Sequence, residues 1–504
     1  LFEAPPKKLR NLSTSRSFKS PNERLPINTN LLPAMSPPRD LNPVSGSPQG
    51  TVVFFHPDLG IGGAERLVVD AAVGLQEQGH HVVIFTNHCD PGHCFDECRD
   101  GTLDIRVRGA WPIPMSILNR LTILCAILRH LQLLVQITLS GELQALKPRA
   151  FIVDQLSAGL PLMRFLYPDT PIFFYCHFPD LLLAQGRQSA LKRLYRVPFD
   201  WIEEWSMGFA QAVAVNSEFT KGVVARTWPR LKEKVDTKVV YPCVDTTVKQ
   251  DDASAGGEGD VFGNGDYKII LSINRFERKK DIGLAVKAFA AIPDEQRKGV
   301  RLVLAGGYDH RVAENVEYHA ELQQLASSHS LNHHTVTSFD ASSLSSIPSD
   351  ASVLFLLSIP NSIKTSLLRA ARLLVYTPSN EHFGIVPLEA MLARVPVLAA
   401  NTGGPVETIQ DAKTGWLRDP EDVNDWSSVM GSVLDMPDSD LREMGADGEE
   451  RVRSLFGRKN MALRLESSLN EILAKKLTRP SLFFPIGIVV SLVLAALAVY
   501  VQLQ

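Results

Sequence analysis

Two runs of short apolar segments alternating with amphipathic stretches, separated by a segment with no period at all, constrain this chain more than any other feature. In the first run the pattern predicts strands at 52–56, 82–86, 151–154, 172–176, 212–216 and 239–241, with a helix over 64–78 between the first two. Residues 246–266, TTVKQDDASAGGEGDVFGNGD, carry acids, Gly and Ser without periodicity and read as a linker. The alternation then restarts, with strands at 269–273, 302–305, 353–357, 373–376 and 397–399. Helices are expected from about 281, over 312–327 and over 441–473. Short strands buried on both faces and joined by helices give parallel sheets with right-handed crossovers. The expected fold class is therefore α/β, with two doubly wound Rossmann-like domains (51–245 and 267–478) facing a cleft. Ligands of such sheets bind at the strand carboxyl ends, so the cleft is the expected active site.

The two ends are unlike the middle. Residues 1–50 are rich in Ser, Pro, Asn and basic side chains and read as a disordered extension. No apolar run follows Lys7, Lys8 and Arg10, so a secretory signal is not expected. The sequence opens on Leu1 rather than Met, which raises the possibility of a missing start. At the other end, residues 482–503 (LFFPIGIVVSLVLAALAVYVQL) carry no charge. As a helix they would reach roughly 33 Å, enough for a bilayer core of about 30 Å. Lys475, Lys476 and Arg479 precede them and nothing basic follows, so a transmembrane anchor with the bulk of the chain in the cytosol is expected. A further apolar stretch, 121–139, is interrupted by Arg129, His130 and Gln132 and reads either as a packed helix or as one lying in a membrane interface. With 52 basic and 55 acidic side chains the formal charge is −3, which argues against a nucleic-acid partner. Six cysteines in so long a chain are no disulfide scaffold.

The turn after the first strand, Gly60-Ile61-Gly62-Gly63-Ala64-Glu65, is not a dinucleotide fingerprint. Glu65 stands where the third glycine belongs, and Thr86-Asn87 where an acid should end the second strand. What remains is a strand-to-helix turn able to offer N–H groups to an anion or a sugar hydroxyl. Asn401-Thr402-Gly403-Gly404-Pro405 is a second such turn, with Glu407 in the first helical turn after it. The sharpest local signal is Glu381-His382-Phe383-Gly384-Ile385-Val386-Pro387-Leu388-Glu389. It puts Glu381 on the loop leaving a strand and Glu389 inside a helix. Between them, the amides of Phe383, Gly384, Ile385 and Val386 are exposed at the helix start. One carboxylate could take sugar hydroxyls, the amides phosphate, and the other carboxylate a ribose. Arg275 and Lys280, flanking the end of the first strand of the second domain, could hold a diphosphate and stabilise it further as it departs.

Gly60–Gly63, Arg275 with Lys280, and Glu381 with Glu389 resemble the retaining glycosyltransferases of family 4, whose fold is the two-domain GT-B arrangement. The match runs from about residue 51 to 470. Tyr175-Cys176-His177-Phe178-Pro179-Asp180 and the segment from Ser272 to Lys280 are similar to those of the mannosyltransferases of the dolichol pathway that make α-1,3 and α-1,6 linkages. The resemblance implies GDP-mannose as donor and dolichyl-diphosphate-linked Man-GlcNAc2 as acceptor, in N-glycan precursor assembly. Transfer would occur with retention, on the cytosolic face of the endoplasmic reticulum membrane, without a cofactor or an obligatory metal. Other enzymes of that pathway would be possible partners. The first domain would take the acceptor and the second the donor nucleotide. Arg275 and Lys280 would grip the donor phosphates, Glu381 would contact mannose or support the reacting centre, and Glu389 would hold the ribose. His177 would lie near the anomeric carbon, with Gly62 and Gly63 beside the donor. Asp281 stands where the family pattern often has Gly, and Lys279 adjoins Lys280. Front-face attack, with the departing phosphate helping to remove the acceptor proton, would suit a site with no second obvious catalytic carboxylate. The alternatives are the α-1,2-mannosyltransferase acting next in the pathway and an inactive anchored scaffold.

His88-Cys89 and His93-Cys94, with Cys98, lack standard zinc spacing and are not assigned a metal. His329, His333 and His334 are taken as loop histidines. Asn11-Leu12-Ser13 fits a glycosylation sequon, but a cytosolic segment would not meet that machinery.

Overall fold

The computed structural model describes residues 50–109, 113–117, 121–179, 182, 190–246 and 267–477. The expected extension at 1–49, Asp180, linker residues 247–266 and the apolar segment 482–503 lie outside the described residues. The first sheet comprises β1 (Thr51–Leu59), β2 (His81–Cys89), β3 (Asp104–Val107), β4 (Pro148–Asp154), β5 (Ile172–Cys176), β6 (Ala212–Val215) and β7 (Asp236–Val239). Their spatial order is β3-β2-β1-β4-β5-β6-β7, all parallel. The second comprises β8 (Lys268–Ile273), β9 (Val300–Gly306), β10 (His333–Val336), β11 (Val353–Leu357), β12 (Ala371–Tyr376), β13 (Val397–Ala400) and β14 (Gly415–Arg418). Its order is β10-β11-β9-β8-β12-β13-β14, again all parallel.

Each sheet is buried on both faces, which is why the strands read as nearly continuous apolar runs. Side chains of β1 alternate between two core clusters, Val52 and Phe54 on one face and Val53 and Phe55 on the other. In both sheets the order reverses beside the first strand, between β1 and β4 and between β8 and β12. That reversal opens the crevice where open α/β sheets take ligands.

Four expectations need correction. The strand placed at 239–241 ends at Val239, with Val240 and Tyr241 beyond it. The edge strands β3, β10 and β14 went unread because, at four residues each, DIRV, HHTV and GWLR carry no apolar run. His333 and His334 thus lie on β10, not in a loop; His329 follows the preceding helix. The helix expected over 441–473 is two, Asp438–Leu455 and Arg458–Ala474, parted at Phe456-Gly457 where the chain turns back to the first lobe. Met461, Leu465, Leu469 and Ile472 of the final helix pack into the first lobe's core. Glu466 meets the buried His80, and Arg458 reaches Glu77 at 3.0 Å.

The stretch at 121–139 forms a helix, Thr122–Leu139, with a mean hydropathy of 1.6, long and apolar enough to cross a membrane by composition alone. Its Leu133, Leu134 and Ile137 are buried in the first lobe's core while Val135 and Leu139 face outward. Buried Arg129 reaches Asp58 at 3.1 Å.

Candidate active site

The residues singled out in the sequence sit on loops leaving the carboxyl ends of β1, β5, β8 and β12 or on the helix starts that follow them. In the second lobe, the chain leaves β12 through Thr377, and Gly384 takes a positive φ of 87° to start the helix Ile385–Leu392. Glu381 stands on that loop and Glu389 within the helix, as read. The Gly403-Gly404 turn lies directly against the loop, and the Gly404 N–H donates to the Glu381 carbonyl at 2.8 Å. A Cβ on Gly404 would come within 2.2 Å of the Phe383 backbone, so only glycine permits this contact.

Lys280 Nζ donates to Glu381 Oε2 at 2.5 Å, and the Tyr376 hydroxyl donates to the same oxygen at 2.9 Å. Burial pushes the Glu381 carboxyl up, but Lys280 and the Tyr376 hydrogen bond outweigh it and hold the group below its ordinary value. The Tyr376 phenol is kept protonated by burial, reinforced by Glu381 and Glu389 and opposed by Arg275. These charges therefore share one neighbourhood around the end of β12. Glu389 accepts from Lys364 at 2.7 Å through Oε1, while its buried Oε2 has no hydrogen-bond partner.

The cations divide in a way the sequence did not show. Arg275 and Lys279 are both exposed, 61% and 64%, and both pair with Glu277 at 2.9 Å. Lys280 is only 15% exposed and tied to Glu381. Arg275 and Lys279 are thus the cations open to an incoming anion, and Lys280 acts on the same region through a carboxylate it already holds.

In the first lobe, His177 follows β5, and its Nε2 lies 3.0 Å from Asp154 Oδ2 at the end of β4. On the other side of that carboxylate, Nδ1 of His56, within β1, is 2.9 Å from both Asp154 oxygens. Burial alone would raise the Asp154 carboxyl, yet His56 and His177 bring it down to about 2. The Gly62-Gly63 turn joins the row through Glu65, whose Oε1 lies 3.9 Å from His56 Nε2. Three adjacent strands, β1, β4 and β5, thus set His56, Asp154 and His177 in line. Sequence reasoning missed the first two. The available signal was a single polar residue closing each apolar run, FFH and FIVD.

The two lobes meet at this point. The ring of Phe178 stacks on that of His382, centroids 3.7 Å apart and planes 4° from parallel. The Ser217 hydroxyl donates to the His382 carbonyl at 2.5 Å. Glu407 accepts from the Glu218 and Phe219 amides at 2.8 and 2.9 Å, capping a first-lobe helix from the second lobe. Burial lowers His382 to about 4, opposed by Glu381 and reinforced by Lys280, Lys279 and His177, so side chains of both lobes act on one ring.

Cys89, Cys94 and Cys98 gather beside the glycine turn as free thiols. Among the described residues no group of three His, Cys, Asp or Glu side chains is arranged to hold a metal ion.

Residues 61–248 match the family described as Glycosyltransferase Family 4, and residues 260–451 match Glycosyl transferases group 1. An alpha-1,3/1,6-mannosyltransferase of Neurospora crassa is 60% identical over 426 residues, covering 84% of this chain and 90% of that protein. The chain belongs to the alpha-1,3/1,6-mannosyltransferase family. Its Saccharomyces cerevisiae member is 44% identical over 439 residues, covering 84% of this chain and 86% of the relative. Among solved structures, sucrose-phosphate synthase from Thermosynechococcus elongatus superposes with a TM-score of 0.61 at 20% identity, over 84% of this chain and all of that one. The catalytic domain of starch synthase IV from Arabidopsis thaliana gives 0.61 at 14% identity, over 85% of this chain and all of its own. These two establish the fold, two Rossmann-like domains in the GT-B arrangement, which this mannosyltransferase family member shares.

Proposed function

We propose that this chain transfers mannose from GDP-mannose to dolichyl-diphosphate-linked Man-GlcNAc2, forming an α-1,3 and an α-1,6 linkage with retention of configuration. The reading is carried by the clustering of Arg275, Lys280, Glu381 and Glu389 around Tyr376 in a chain 60% identical to a mannosyltransferase of that double specificity.

In this reading the donor lies along the second lobe. The free Oε2 of Glu389 takes a ribose hydroxyl, with Lys364 holding the other oxygen. The diphosphate meets Arg275, Lys279 and the amides from Phe383 to Val386, while Lys280 keeps Glu381 ionised and aimed at the hexose. As the glycosidic bond breaks, negative charge grows on the diphosphate, and fixed cations stabilise that state more than the ground state. The acceptor hydroxyl attacks from the face the diphosphate leaves, so its proton passes to a phosphate oxygen and configuration is retained. His177 stands across the cleft, where a sugar hydroxyl next to the reacting carbon would be held. No bound metal is required, because protein cations and amides supply the charge. Residues 482–503 anchor the chain in the endoplasmic reticulum membrane with both lobes in the cytosol.

The decisive experiment incubates the full chain in detergent with GDP-mannose and a synthetic lipid-linked Man-GlcNAc2, scoring products by mass. Two successive hexose additions, one α-1,3 and one α-1,6 by linkage analysis, are expected. No addition, or α-1,2 product alone, overturns the reading.

A further inference from the structure

His56 has no role in the reaction just described, yet it is almost wholly enclosed. His56 is 1% exposed, and each of its ring nitrogens faces an oxygen. Nε2 lies 3.1 Å from the Asp58 carbonyl, which can only accept. Nδ1 lies equally close to both Asp154 oxygens, the geometry of one N–H shared across an ionised carboxylate. A ring that must donate from both nitrogens carries a proton on each. We propose that His56 is a buried cation that neutralises Asp154, so that His177 donates from Nε2 to Asp154 and keeps Nδ1 as a lone-pair acceptor for a sugar hydroxyl.

The argument rests on the mannosyl-transfer reading only for the substrate that His177 meets. Asp154 lies between two histidines and can hold only one of them as a cation without leaving net positive charge in the interior. His56 is the better placed, with two acceptors of its own. His177 has one, and its backbone carbonyl is occupied by the Asn216 amide at 3.2 Å. Burial opposes a charge on His56, but Asp154 and then Glu65 overcome it and raise its pKa. The other titratable groups facing this row are Asp58 with Arg129, Glu65 from the helix Gly63–Glu77, His130, Tyr175 from β5, and His382 across the cleft. Glu65 lies in the first turn of its helix, where the positive helix end offsets its charge. Burial pushes His130 down to about 4 and His382 lies there too, so neither adds a cation near neutrality. His56 is thus a positioning residue, acting on substrate through Asp154 and His177.

The test compares pH profiles of kcat/KM for mannosyl transfer by the full chain. His56→Asn keeps an N–H near the Nδ1 position but removes the charge. Asp154 then lacks its counterion and draws a second proton onto His177, so the acid limb moves up by about 1 to 3 pH units. The loss at pH 6.0 should exceed that at pH 8.5 by about tenfold or more. Adding Asp154→Asn removes the carboxylate, and the double variant should return the limb to its wild-type position even though its rate is lower throughout. A loss in His56→Asn that is equal at both pH values overturns the inference, as does a double variant whose limb stays shifted. Should His56→Asn fail to fold, judged by thermal melting with and without GDP, Asp154→Asn alone decides: its limb must not lie above wild type. A wild-type chain that transfers no mannose would sink the functional reading instead, which keeps the two failures apart.

Discussion

Lys280→Met isolates the pair on which the second lobe's site turns. Methionine keeps the length and apolar stem of lysine but leaves Glu381 with only the Tyr376 hydroxyl at 2.9 Å. The lysine and glutamate side chains are 15% and 18% exposed, so water replaces the lost partner poorly. Removing one member of a buried pair costs about 3–5 kcal/mol, and the surviving phenol bond offsets part of it, which leaves about 2–4 kcal/mol at neutral pH. The pH dependence has a definite sign. In the wild type Glu381 titrates below its ordinary 4.5, so the pair's contribution is full above that value and fades only as the pH falls through the lower folded value. In the variant, burial is opposed only by the Tyr376 hydrogen bond and His382 and raises the carboxyl, so mild acidification discharges it. The stability deficit should be largest at pH 7 to 8 and shrink toward pH 5, read from thermal melts of both proteins across that range. Lys280→Met/Glu381→Gln should be less destabilised than Lys280→Met at pH 7. Equal deficits at pH 5 and pH 8, or a double variant worse than the single, would refute the reasoning. Unchanged turnover in Lys280→Met would separately remove Lys280 from the catalytic set.

Lys364→Met should weaken GDP binding about tenfold, the worth of one charge-assisted hydrogen bond, while barely changing binding of 2′,3′-dideoxy-GDP. Calorimetry with both nucleotides checks this, and an equal loss on both would show that Lys364 does not act through a Glu389–ribose contact. Gly404→Ala forces a Cβ to within 2.2 Å of the Phe383 backbone and should cost about 3 kcal/mol or more, with loss of GDP protection in limited proteolysis. Exhaustive dialysis against EDTA should leave mannosyl transfer within about twofold, since in the proposed reaction Arg275, Lys279 and backbone amides would meet the charge on the departing diphosphate. Restoration by added Mg²⁺ or Mn²⁺ after a large loss would contradict it.

Much of the fold was legible because its signals are local. Strands such as β1 and β8 are apolar on both faces and announce themselves as unbroken runs, and Gly384 with Pro387 fixes where Glu381 leaves a strand and Glu389 enters a helix. The edge strands β3, β10 and β14 are only four residues each, so DIRV, HHTV and GWLR carry no period to read. The site was legible where neighbours in sequence are neighbours in space, as in Glu381 and Glu389. It was not where the partner comes from another strand. His56 and Asp154 lie 98 residues apart, and only the parallel register of β1 beside β4 brings them together. The division between Lys279 and Lys280 was equally hidden, because it depends on Glu381 reaching one lysine and Glu277 the other.

The loop from Glu381 to Gly384 carries both the carboxylate held by Lys280 and the contact between lobes, and the same few atoms do each. The Glu381 side chain points to Lys280, while its carbonyl accepts from Gly404. The next residue turns to the other lobe, its ring on Phe178 and its carbonyl on Ser217. Phe383 then packs against Tyr241 and Phe456, where the chain crosses between lobes. A displacement that opened the His382 contacts would have to move Glu381, because no glycine separates them and the Gly404 backbone blocks the loop from behind. The position of Glu381 and the lobe contact at His382 are therefore mechanically coupled through one peptide unit, a coupling that follows from close packing rather than from any charge.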